Sequence, residues 1–338
     1  MLKSLLIILA GICFTATMQT YTAQAQTMKP TENGVHMADV TFPNKSIPLA
    51  GNMYFPPKYE EGKKYAAIIV GHPAGGVKEQ VAGLYAQLLA EKGFITLTFD
   101  AAFQGASGGE PRGLDDPAFR VEDFRCAADF LSNHKAVDPE RIGVIGICGG
   151  GGFALSAATT DKRMKAVAGI SAVDLGQLRR DGLGGSFTPE STQIRLAEVA
   201  KQRTIEAAGG EIRYNNFVPD TEEQIPANAP VMYRQGYEYY RVSHKHPNST
   251  NKYTFTSLDK LIPFTAFENL DWISPRPLLM IAGSKAISKY YSEDAVKLAK
   301  DPKELFIVEG ATHIDLYHKT EYVTPSVNKL AEFFGKYL

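Results

Sequence analysis

Arg141-Ile142-Gly143-Val144-Ile145-Gly146-Ile147-Cys148-Gly149-Gly150-Gly151-Gly152 is the stretch on which the reading of this chain turns. A short apolar run, the mark of a buried strand, enters four glycines and continues into a helix-prone segment, Phe153 to Thr160. Cys148 is the one residue in the turn with a reactive side chain. Gly146-Ile147-Cys148-Gly149-Gly150 fits the pattern G-x-nucleophile-x-G, with Cys where Ser is usual. A nucleophile on a strand-to-helix elbow has a strained backbone, and a Cβ two residues to either side would clash. The elbow also places the sulfur at a helix N-terminus, where the dipole and free N–H groups favour a thiolate. The rival reading is a glycine-rich loop that binds a phosphate or merely packs closely. The spacing does not fit G-x-G-x-x-G followed by an acid about 20 positions on, and no Gly-Lys-Ser/Thr follows.

The bulk composition is that of an ordinary globular protein. At 338 residues, one large α/β domain or two small ones is expected. The formal net charge is −1 and no basic run occurs, which argues against a nucleic-acid partner or an anionic membrane surface. Residues 1–25 read as a secretory signal peptide: Lys3, an apolar core Leu5 to Phe14 too short to span a bilayer, and an Ala23-Gln24-Ala25 cleavage site. A lipoprotein signal ending at Cys13 is the rival, and Ile12 is a poor residue before a lipidated Cys. Removal of residues 1–25 takes away one Lys and no acid, leaving 35 basic against 37 acidic residues, a net of −2. The expected location is therefore periplasmic or secreted. Cys126 and Cys148 then remain, in a helical pattern and on the elbow, and are read as separate thiols.

Along the chain, Val35 to Phe42 and Leu49 to Phe55 read as two strands joined by a polar turn. Ala66 to Val70 is a continuous apolar run, as for a strand buried on both faces, and ends in Gly71-His72-Pro73-Ala74-Gly75-Gly76. A helix over Glu79 to Lys92 and a strand over Phe94 to Phe99 follow. A small-residue loop over Gln104 to Gly113 leads to a helix over Arg120 to His134. After the elbow, Ala166 to Ser171 is another buried strand. This order predicts a mostly parallel sheet with helices on both faces. From 176 to about 270 the rhythm breaks, with a helix over Glu190 to Ala208 and an aromatic cluster, Tyr233, Tyr237, Tyr239 and Tyr240. The segment is too long for a loop and is read as a helical lid inserted into the sheet domain, with the tyrosines as lid core. The core is thus 26–175 with 271–338, and the lid or cap is 176–270. Pro277 to Ala282 and Glu304 to Glu309 resume the strands, and Thr324 to Tyr337 closes the chain as a helix.

Ligands of open α/β sheets bind beyond the carboxyl ends of the strands. Three strand-end loops there carry chemistry: Cys148, His313 directly after the last strand, and the loop His72 to Gly76. A thiol with a pKa of ~8.5 is mostly protonated at neutral pH, and an adjacent imidazole converts it to a thiolate–imidazolium pair. The glycine-rich loop can present the N–H of Ala74, which with that of Gly149 forms an oxyanion hole. One such donor is worth ~3 kcal/mol. His72 then shapes that loop, at the wall of the substrate pocket. Gln104 and Arg112 are further candidate pocket residues, with Arg112 read more readily as solvated or salt-bridged than as a carboxylate anchor. No His/Cys/Asp/Glu grouping has metal-ligand spacing, and no cofactor is implied.

These phrases together resemble the α/β-hydrolase superfamily, and within it the dienelactone-hydrolase-like enzymes, some of which use Cys in the elbow. His72-Pro73 with Gly75-Gly76-Val77-Lys78-Glu79-Gln80, Phe99-Asp100-Ala101, Ser107-Gly108-Gly109-Glu110-Pro111-Arg112, Ile273-Ser274-Pro275-Arg276-Pro277 and Glu309-Gly310-Ala311-Thr312-His313 resemble a bacterial subgroup of such proteins. The resemblance covers almost all of the mature chain. It implies an eight-stranded sheet and a Cys/Ser–His–acid triad in that chain order. The acid is where this sequence departs. The family carries it in a Gly-Ser-x-Ala-Asp-like phrase, and Gly283-Ser284-Lys285-Ala286-Ile287-Ser288 has Ile287 at the matching position. Asp174 is the best replacement, Glu293 and Asp294 are nearby, and Asp315 is read as a local cap. Otherwise the site works as a Cys148–His313 dyad, or it is degenerate and binds without turnover. The expected function is an exported hydrolase of a carboxylic ester, lactone or thioester acting on a small acyl substrate. The alternatives are a binding protein on the same fold, or a peptidase or acyltransferase. Oligomeric state is not legible.

Overall fold

The computed structural model describes residues 28–338, so the signal-peptide segment 1–25 lies outside the described residues. The strands come first as β1 (Lys29–Pro30), β2 (His36–Asn44), β3 (Ile47–Phe55) and β4 (Tyr65–Gly71). Helix α1 (Val81–Glu91), β5 (Ile95–Phe99), α2 (Pro117–Ser132), β6 (Val137–Ile147), α3 (Gly149–Thr160) and β7 (Met164–Ile170) alternate after them. The sheet is completed by β10 (Leu278–Gly283) and β11 (Lys303–Val308), with α8 (Lys289–Leu298) between them and α9 (Asp315–His318) and α10 (Thr320–Tyr337) after them.

The sheet order is β1-β2-β3-β5-β4-β6-β7-β10-β11. The pairs β1/β2, β2/β3 and β3/β5 are antiparallel and every other pair is parallel. This is the mostly parallel α/β-hydrolase sheet expected, its eight strands extended at one edge by the two-residue β1. Strands β4 and β5 are buried at every position, as their unbroken apolar runs require. Two hydrophobic cores cover the two faces, one built on α2 and α3 and the other on α1 and α10. Cys148 packs against both, because it stands at the carboxyl edge where they meet. Register aligns the ends of the central strands: Gly71 sits opposite Gly146, and Ile147 opposite Ile170. The loops that follow therefore open side by side.

Between β7 and β10 the chain leaves the main sheet. It forms α4 (Leu175–Asp181), α5 (Pro189–Ala207), a small antiparallel hairpin of β8 (Tyr214–Asn216) and β9 (Lys252–Thr254), α6 (Val231–Tyr237) and α7 (Leu258–Leu261). Thr188 and Ser191 close a reciprocal capping box at the start of α5. The insertion has a minor core of Val199, Tyr253, Phe255, Leu258 and Ile262. The tyrosine cluster expected to form that core does not. Tyr233 is exposed, whereas Tyr239 and Tyr240 are buried in the main-sheet core beside α1 and α9. They sit on a π-helical stretch, Glu238–Ser243, that turns their rings inward over the strand ends. Two bonds fasten the insertion to the loop after β4: Ser249 Oγ donates to the Gly75 carbonyl at 2.7 Å, and Gln80 Nε2 donates to the His244 carbonyl at 2.7 Å.

Candidate active site

Cys148 has φ 55° and ψ −124°, a region that L-residues adopt only under constraint. The constraint comes from both sides. The Cys148 N–H donates to the Ile170 carbonyl at 3.0 Å, and its carbonyl accepts from Val173 and Gly151, each at 2.9 Å. A Cβ on Gly146 would come within 2.3 Å of the Gly150 oxygen, and one on Gly150 within 2.3 Å of the His72 oxygen. Glycine is thus obligatory two residues before and two after the cysteine.

The thiol is half-buried and free, and Cys126, buried in α2, is free as well. Hydrogen bonding from the Tyr317 hydroxyl and from the Gly149 and Ala74 amides pulls the Cys148 thiol pKa down. The two amides are neighbours, since a Cβ on Gly149 would sit 3.5 Å from the Ala74 nitrogen. Burial nevertheless dominates, and the Cys148 thiol is pushed above its ordinary range despite these donors. The helix terminus and the amides are not enough to hold a resting thiolate.

His313 is buried, and burial alone lowers its pKa to about 4. Its Nδ1 lies 2.5 Å from Ser288 Oγ and its Nε2 3.0 Å from the Tyr317 hydroxyl. No carboxylate contributes to its titration. The resting pair is therefore neutral thiol and neutral imidazole, not the thiolate–imidazolium pair expected from the sequence. Tyr317 stands between them.

The candidate acids are all occupied elsewhere. Asp174 caps α4, accepting from Gln177 N at 2.9 Å, and its other oxygen accepts from Ala266 N at 2.8 Å. It fastens α4 to the far end of the insertion and does not reach His313. Glu293 pairs with Lys289 and Asp294 with Lys297. Asp315 accepts from Thr312 N and pairs with Lys319, as a local cap should. Ile287 is 46% exposed, whereas the next residue, Ser288, is 1% exposed and fills the place at Nδ1.

His72 is equally buried but differently engaged. Its Nε2 accepts from Ala101 N at 3.1 Å, which leaves the proton on Nδ1 to meet the Pro73 carbonyl at 2.7 Å. Desolvation, with Arg120 nearby, drops its pKa to about 3. This imidazole is a brace between two loops, and it sets the course of the chain that carries Ala74. Gln104 Oε1 accepts from the buried Arg120 at 3.1 Å. Arg112 donates to the Ser107 carbonyl at 2.5 Å and the Gly105 carbonyl at 2.7 Å, so its guanidinium organises its own loop. Gln104 and Arg112 do line a cavity of about 220 Å³, with Gly75, Phe217 and Asn251 around it. Among the described residues no group of His, Cys, Asp and Glu could hold a metal, and no helix is long and apolar enough to cross a membrane.

Sequence reasoning missed Ser288 and Tyr317. The second had a signal. His313-Ile314-Asp315-Leu316-Tyr317 places the tyrosine four residues on, which is one helical turn and the same face.

Residues 50–177 match the dienelactone hydrolase family. The protein YcjY of Escherichia coli (strain K12) is 39% identical over 297 residues, which cover 87% of this chain and 96% of YcjY. The chain belongs to the dienelactone hydrolase family. The crystal structure of PA2218 from Pseudomonas aeruginosa, at 39% identity, superposes with a TM-score of 0.85 over 92% of this chain and 96% of that one. Acyltransferase drtE of Aspergillus calidoustus is 27% identical and covers 82% of this chain and 89% of its own. Family and fold make this protein an ester-acting hydrolase on an α/β-hydrolase frame.

Proposed function

We propose that the protein is an exported acyl hydrolase that cleaves a carboxylic ester, lactone or thioester through a covalent intermediate on Cys148. One observation carries the reading: Cys148 sits on a strained elbow beside the neighbouring Ala74 and Gly149 amides, both of which favour negative charge on its sulfur. Donors so placed meet the oxygen of an acyl group bonded to that sulfur, and each is worth ~3 kcal/mol in the transition state. The sulfur bonds to the carbonyl carbon, His313 takes up the thiol proton, and the leaving alcohol or thiol departs with it. Water then attacks the thioester, His313 takes its proton, and that proton passes to the Cys148 sulfur as the carbon–sulfur bond breaks and the acid leaves. At neutral pH the buried imidazole is in the uncharged form that a general base requires. Export rests on the charged start, apolar core and small-residue cleavage site of residues 1–25.

The likeness to an acyltransferase supports a second reading, in which an alcohol or amine replaces water in the second step. Both readings need the same acyl-enzyme. Hydrolysis of p-nitrophenyl acetate and butyrate by wild type, Cys148→Ala and His313→Ala tests it. Loss of turnover in both variants is expected, and equal rates in all three proteins overturn the mechanism. Added alcohols and amines, scored by ester or amide product, then separate transfer from hydrolysis.

A further inference from the structure

We propose that the Tyr317 hydroxyl is a catalytic group that carries the proton between Cys148 and His313. The proposal deepens the reading of Cys148 as nucleophile and rests on it. The hydroxyl lies 3.0 Å from His313 Nε2, and hydrogen bonding couples it electrostatically to the Cys148 sulfur.

Two arrangements satisfy every partner, because the Ser288 and Tyr317 hydroxyls can each donate or accept. A neutral imidazole has one proton. In the arrangement that the relay uses, Nδ1 donates to Ser288 and Nε2 accepts from Tyr317. The phenol has then used its single proton, so its oxygen is free to accept from the thiol. Cys148 S–H, Tyr317 O–H and His313 Nδ1–H therefore point the same way along one chain.

The chemical step follows from that polarity. As sulfur attacks the carbonyl carbon, its proton passes to the Tyr317 oxygen and the phenol proton passes to His313 Nε2. The carbonyl π pair moves onto the oxygen held by Ala74 and Gly149, while the new imidazolium donates to Ser288. When the tetrahedral intermediate collapses, the flow reverses. Nε2–H returns its proton to Tyr317, which protonates the departing oxygen or sulfur as the bond to carbon breaks. Tyrosine begins and ends neutral. Burial holds this phenol well above the ordinary tyrosine range, so a free phenolate does not accumulate and the two transfers are coupled.

The surroundings fix the hydroxyl in place. Tyr239 packs edge-on against the Tyr317 ring at 5.3 Å and Tyr240 at 6.4 Å. Tyr85 donates to the Leu316 carbonyl at 2.8 Å, anchoring the turn that carries Tyr317. Tyr239 and Tyr240 come from the insertion, so closure of that segment over the strand ends positions the relay.

The test is acylation of Cys148 by p-nitrophenyl acetate in single turnover, with Tyr317→Phe beside wild type and a rate series in mixtures of light and heavy water. Tyr317→Phe keeps the ring and removes the hydroxyl. The expected loss in the acylation rate is about 100-fold, with KM changed less than about twofold. Wild type should give a curved dependence on deuterium fraction, as two protons in flight require. A Tyr317→Phe rate within about threefold of wild type overturns the relay, as does a linear dependence in wild type. If Tyr317→Phe does not fold, the wild-type isotope series decides alone. Cys148→Ala in the same assay separates the two levels: if it still releases p-nitrophenol at the wild-type rate, the nucleophile reading itself has failed and the relay falls with it.

Discussion

Two buried histidines flank Cys148, and they differ in what they touch. His72 is held by two backbone groups, the Ala101 N–H and the Pro73 carbonyl. His313 is held by two hydroxyls, of Ser288 and Tyr317. Burial keeps both neutral at physiological pH, with values near about 3 and about 4. Neutrality therefore does not distinguish a base from a brace. The partners do. A peptide N–H and C=O cannot exchange roles, so His72 is locked in one tautomer for life. A hydroxyl donates and accepts by rotating, so a ring bounded by hydroxyls can gain and lose a proton without losing a bond.

The largest expected effect separates these two roles. His313→Ala should lower the rate of ester cleavage by ~10²–10⁴, the span of general-base catalysis, with a modest change in stability. His72→Ala should do the reverse in stability. It leaves the buried Ala101 N–H unpaired and opens a cavity, at a cost of ~3 kcal/mol in denaturant unfolding. Its effect on rate comes only through displacement of Ala74. A stability loss in His313→Ala larger than in His72→Ala would reverse the assignment.

Titration sharpens the comparison. The proposed mechanism needs neutral His313, so kcat/KM should rise with pH through about 4 and be level from about 5 to 8. An acid limb near 7 would mean that a carboxylate supports the ring after all. Stability carries the same sign. The unfolded imidazole binds a proton at ~6.5 and the folded one only at about 4, so the unfolded chain takes up protons first as pH falls. The stability from keeping His313 neutral is present above ~6.5 and is lost as pH drops toward 4. Relative to His313→Gln, wild type should lose ~1.4 kcal/mol per pH unit across that window. Taking the difference cancels the other titrating groups.

Much of this was legible in the sequence. Continuous apolar runs located the parallel strands, and the glycine spacing located the elbow, because both follow from local steric rules. The Ala74 and Gly149 amides were predictable too, since backbone donors depend on loop position and not on side-chain choice. The ring partners of His313 were not. The family phrase puts the acid at the position of Ile287, but the residue that turns inward is one further along, the uncharged Ser288. Asp174 was a fair candidate by strand order and is consumed by α-helix capping, a use that appears only when Ala266 is seen folded beside it. Tyr239 and Tyr240 were assigned to the insertion's own core because a cluster says nothing about which face of a helix looks inward.

The position at Nδ1 supplies the smaller tests. In the proposed mechanism, Ser288→Ala removes the hydroxyl that accepts from Nδ1 of the imidazolium. A neutral acceptor to a developing charge is worth ~1.5 kcal/mol, so the rate should fall about tenfold with the acid limb unmoved or slightly lower. Ile287→Asp is the sharpest small effect. It restores a carboxylate where the family phrase would have one, yet the side chain at 287 is 46% exposed and faces solvent. An exposed charge is screened and gains little from a buried ring. The rate should therefore stay within about twofold of wild type, and the acid limb should not shift. If instead Ile287→Asp moved the limb up toward 6.5 and raised the rate, residue 287 would be reaching His313. The hydroxyl-bounded base described here would then be a site that had lost its acid, not one organised around Ser288 and Tyr317.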